Sequence, residues 1–126
     1  MSPFTAEPMN ATPPEEVLQK GERWLKSDEI CWTTTAFLSL NEWYSVSVPA
    51  EPDPDWPGEA VTEYSPVQFL AAAVKEDTEH KRAILVRGKF RIPRVDYRVG
   101  GIVGWDEKWF PVEDIKKIIK TSEPEK

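Results

Sequence analysis

The chain has 126 residues, six of them Trp, with 30% charged and 40% hydrophobic residues and a net charge of −6. That length suits one domain around one core, and the chain is too aromatic to be disordered. One Cys and one His exclude an internal disulfide and a Cys/His zinc set, and no apolar run approaches the roughly 20 residues of a membrane helix.

In chain order, residues 1–13 read as a flexible tail, rich in Pro, Ser, Thr and Ala. They lack the basic and apolar regions of a signal peptide, so a cytoplasmic protein is expected. A helix is expected over 14–26: Thr12 suits an N-cap, Pro13 and Pro14 a first turn, and Val17, Leu18, Trp24 and Leu25 an apolar face. Residues 31–48 predict a β-hairpin turning at Asn41, with Tyr44, Val46 and Val48 alternating against Trp43, Ser45 and Ser47. Residues 48–60, VPAEPDPDWPGEA, form a long acidic loop. Trp56 in that loop either pins it to the core or meets a partner.

A second helix is expected over 66–77, with Ser65 as N-cap, Pro66 at N1 and Val67, Leu70 and Val74 on one face. Strands follow at 82–92 and 97–105, bent at Pro93, which cannot donate to a ladder. Asp106 and Glu107 read as a turn before a short strand ending at Pro111, and EDIKKIIK, 113–120, as a last helical segment. Residues 121–126 read as a disordered tail. The expected class is α+β: a single domain over 14–120, with a mainly antiparallel sheet of about five strands, two main helices on one face and a short C-terminal helix.

Charge is unevenly spread. Residues 1–80 carry a net −11 and residues 81–98 a net +6. In RGKFRIPRVDYR, 87–98, a strand places Arg87, Lys89 and Arg91 on one face and Gly88, Phe90 and Ile92 on the other, toward the core. Arg94 and Arg98 extend the basic band. Three like charges at alternate positions repel, so something offsets them. Phosphates would do so, but acidic partners within the fold are the favoured reading, with Glu42, Glu63 and the loop 51–59 as candidates. Trp105 and Trp109 flank the expected turn, and Trp beside Arg is the usual composition of binding hot spots.

The residues call for no metal and no cofactor. EPDPD, 51–55, lacks the glycine and terminal Glu of a calcium loop. His80 sits among charged neighbours at a junction, and Glu63 beside Tyr64 is the one carboxylate worth placing in an acid–base pair. The leading expectation is a non-catalytic binding or adaptor protein that contacts a protein partner through Arg87, Lys89, Arg91, Arg94, Arg98, Trp105, Trp109 and Trp56. The alternatives are a nucleic acid or phosphorylated small molecule on the Arg87/Lys89/Arg91 face, an enzyme using carboxylates and Arg, or acidic mimicry of a nucleic acid. No membrane partner is expected.

Overall fold

The computed structural model describes residues 13–50, 55 and 60–124. Its eight strands are β1 (Glu22–Trp24), β2 (Ile30–Trp32), β3 (Phe37–Ser39), β4 (Trp43–Pro49), β5 (Val61–Asp77), β6 (Arg82–Asp96), β7 (Gly101–Pro111) and β8 (Lys117–Lys120). Short 3-10 turns lie at Pro14–Glu16 and Val112–Asp114. Strands make up 61% of the described residues, no helix among them reaches seven residues, and the sheet curls into a half-barrel, so the α+β class with two main helices is overturned.

The sheet order is β3-β2-β6-β5-β4-β8, with β1 added to β5 and β7 to β6. Among the described residues only β2–β6 is parallel. The long strands β5 and β6 pair with each other and exchange their outer neighbours along their length. β5 leaves β4 for β1, and β6 leaves β2 for β7. Bulges at Tyr44/Val46, Phe69/Ala71, Ala73/Val74 and Arg94/Val95 bend the strands and let the sheet curl.

The expected helix at 66–77 is the inner part of β5, and the Ser65–Pro66 bond within that strand is cis. The bulge explains the misleading period. Val67 and Phe69 face inward; after one extra residue, Ala72 and Val74 do so. Two strand alternations joined by a step of three look helical in sequence. The expected helix at 14–26 is a 3-10 turn followed by β1. Between them Gly21 adopts a positive φ of 85°, a turn that a continuous helix could not contain.

The expected hairpin at 31–48 divides. β2 pairs with β3, while β4 pairs with β5 and β8. Asn41 does make the turn before β4, with a positive φ of 68°. The expected C-terminal helix is the 3-10 turn Val112–Asp114 and then β8, where Ile118 faces inward opposite Val46.

The core fills the concave side. Phe69 and Phe90 are fully buried with ring centroids 5.2 Å apart, and Phe110 lies 5.9 Å from Phe90. Burying each ring contributes about 1.5–3 kcal/mol. Gly88 is required here, because a Cβ would meet Cε1 of Phe69 at 2.8 Å. Cys31 is buried, and desolvation pushes its thiol up to about 12. No polar or charged residue is buried among the described residues. None of their helices is long and apolar enough to cross a membrane.

Candidate functional site

The convex side of the sheet carries the basic strand. Alternation puts Arg87, Lys89 and Arg91 on this side, with Gly88, Phe90 and Ile92 buried on the other. Cross-strand register then decides what each cation meets. Lys89 lies opposite Trp109, and Arg91 lies opposite Glu107 and one step from Trp105. The turn expected at Asp106–Glu107 is instead the middle of β7, so Trp105, Glu107 and Trp109 share one face of a continuous strand. β1 adds Trp24, and β4 adds Trp43.

The result is a row of indoles interleaved with cations. Trp24 and Trp109 have ring centroids 5.9 Å apart, and Trp43 and Trp105 meet edge to face at 5.6 Å. The Lys89 ammonium lies 6.0 Å from the Trp109 ring, and the Arg91 guanidinium lies 4.7 Å from that of Trp105. Ala71 and Ala73 sit between these rings at strand positions opposite Lys89 and Arg87. Their methyl groups leave the room that Trp24 and Trp109 occupy.

Most of the basic band is neutralised within the fold. Arg87, 12% exposed, donates to Glu22 Oε1 at 3.0 Å and to the carbonyls of Glu15 and Val17 at 2.7 and 2.9 Å. Lys89 pairs with Glu107 at 2.9 Å and Glu16 at 3.7 Å. Glu107, with Glu16 adding to it, raises the Lys89 ammonium above its ordinary range. Arg94 pairs with Asp106 at 3.3 Å, and Arg98 with Asp96 at 3.6 Å.

These are not the acids expected from sequence. Glu42 pairs instead with Lys120 at 2.6 Å, and Glu63 is exposed on β5. Sequence could not find Glu16, Glu22 or Glu107, because each reaches its cation through strand pairing or through a docked segment far away in the chain. Arg91 has no carboxylate partner among the described residues. Trp56 lies outside the described residues, as does the tail 1–13 except for Pro13.

Among the described residues, clefts flank this architecture, three of which bear on the site. A groove of about 520 Å³ is lined by Trp43, Arg91, Trp105, Gly101, Ile102 and the chain's own Glu123 and Pro124. A shallower one of about 290 Å³ lies between Trp24 and Trp109 over Ala71. Another, of about 810 Å³, opens at the β2–β3 turn between Trp32, Phe37 and Arg82. Its cations are already engaged: Arg82 with Asp77 at 3.2 Å and with the Trp32 ring, and Lys120 with Glu42. Glu63 lines none of these three clefts and converges with no Arg in them. His80 is exposed beside Asp77 and Glu79, with Nδ1 2.8 Å from Asp77.

The end of the β6–β7 hairpin is apolar and open. Tyr97 is 92% exposed and Val99 70%, and Val95, Ile102 and Val103 are exposed beside them. This apolar tip meets the Trp43–Arg91–Trp105 groove at Gly101 and Ile102. Comparison of the chain with protein-family models, with curated proteins and with solved structures finds no match.

Proposed function

We propose that the protein is a non-catalytic binding module whose contact surface is the β6–β7 hairpin tip and the Trp43–Arg91–Trp105 groove at its base. The observation that carries this reading is the tip. Five apolar side chains stand in solvent at the end of a two-stranded arm, flanked by Arg94 and Arg98. Contiguous exposed apolar surface rimmed by polar groups is the usual mark of a protein contact. Trp and Arg at its base supply the residue types that dominate binding energy.

The charge pattern argues against a phosphate-bearing ligand. Of the five cations in the band, four are matched by carboxylates, so few charges remain to release counterions from a nucleic acid. Among the described residues, Glu63, the carboxylate the enzyme reading would use, converges with no Arg in the clefts described above.

A photo-crosslinking side chain at position 97, with a control at exposed position 79, tests the reading in native cell extract with and without nuclease. The expected result is a protein adduct at 97 that survives nuclease, is absent at 79, and is lost in Val99→Asp. An adduct lost with nuclease, or equal labelling at both positions, overturns it.

A further inference from the structure

The Trp43–Arg91–Trp105 groove is walled in part by the chain's own C-terminal segment. β8 pairs with β4 through Tyr44↔Lys120, and the Thr121 N–H extends the ladder by bonding the Trp43 carbonyl at 2.9 Å. This fixes the direction in which the chain leaves the sheet. It carries Glu123 and Pro124 to the groove wall, beside Arg91, Trp43 and Trp105. A proline thus lines the same groove as an edge-to-face indole pair. An acidic residue directly precedes it, and the groove they line also holds the one cation of the band without a carboxylate partner among the described residues.

Each feature has a matching recognition chemistry. Proline-containing segments dock in aromatic-lined grooves because the ring is apolar and the extended conformation is preset, which lowers the ordering cost. A guanidinium placed over an indole can still donate to a carboxylate, and a charge-assisted bond there fixes the register of the peptide. The groove volume of about 520 Å³ falls within the roughly 300–1,000 Å³ of ligand sites.

We propose that the Trp43–Arg91–Trp105 groove binds an extended peptide of a partner protein in which an acidic residue precedes proline, and that Glu123–Pro124 is its competitor in cis. The proposal rests on the binding-module reading and names the chemistry recognised at the base of the hairpin. The tail limits access. A peptide in trans binds only to the fraction of molecules whose groove is vacant, so its apparent affinity falls by that fraction.

The test is an NMR titration of the full chain, labelled at the Trp indole nitrogens, with the capped hexapeptide TSEPEK as probe. Trp43→Phe and Trp105→Phe assign the two resonances. Saturable shifts of both are expected, with affinity rising by roughly three- to tenfold in Glu123→Ala/Pro124→Ala, the gain from removing the competing segment. Arg91→Ala should abolish the shifts, as should replacing the probe's proline by alanine.

The proposal is overturned if the folded double variant shows no indole shift, or if the alanine probe binds as well as the proline probe. It is also overturned if the indoles shift on raising protein concentration without probe. That outcome would make a second copy the occupant, through Glu7–Pro8 or Glu51–Pro52. Tyr97 and Val99 lie outside the groove, so the crosslinking result stands or falls separately from this one.

Discussion

Arg87 and Arg91 are two residues of one strand face, four positions apart, and the structure gives them opposite roles. Arg87 clamps the N-terminal segment onto the sheet through Glu22 and the carbonyls of Glu15 and Val17. Arg91 rests on Trp105 and binds no carboxylate among the described residues. In Arg87→Ala the two exposed carbonyls can take water instead, so most of the loss falls on Glu22, whose side chain is only 6% exposed.

Removing one partner of a deeply buried pair costs about 3–5 kcal/mol. This pair is covered but shallow, under a single layer of chain, so about 2 kcal/mol is expected. For a domain of this size that is a drop in Tm of about 8 °C. Arg91→Ala loses only a cation–π contact, about 0.5–1 kcal/mol, and should melt within about 4 °C of the parent. Urea unfolding of both variants by fluorescence and circular dichroism, with the slopes compared, gives the two free energies. Equal losses in the two variants would refute the reasoning, because they would mean that the N-terminal segment is not held by Arg87 or that Arg91 is structural too.

Gly88→Ala drives a methyl group to within 2.8 Å of the buried Phe69 ring and should destabilise by about 1–3 kcal/mol, read by the same urea titration. Cys31 is fully buried with its thiol pushed up to about 12, so a thiol reagent at pH 8 should leave the native protein unlabelled and modify it only after unfolding. Hydrogen bonds from Arg23 hold the Glu29 carboxyl down at about 2, against an ordinary 4.5. A depressed folded-state value means that this pair's stabilisation is complete above about pH 4.5 and is lost as pH falls toward 2. Thermal melts across that range should show a decline in the parent that is reduced in Arg23→Ala, and an unchanged slope would count against the pair.

Strict alternation in RGKFRI was readable from sequence because a strand's two faces depend only on residue parity. That alone assigned Arg87, Lys89 and Arg91 to one side and Phe90 and Ile92 to the core, as found. The inward set Tyr44, Val46 and Val48 and the turn at Asn41 were legible for the same local reason. Composition and the charge split were likewise fixed by the chain itself.

Everything that depends on which strand lies beside which came from the tertiary structure. The bulged β5 imitates a helix in sequence, and its Ala run favours helix intrinsically. Pairing along its whole length with β6 overrode that preference. The antiparallel register of β6 with β7 set Trp105 and Trp109 beside Arg91 and Lys89, turning an expected loop into a platform. The partners of the basic band were invisible for the same reason. Glu22 reaches Arg87 across 65 positions, a separation at which local pattern carries no information and only the closed fold brings the charges together.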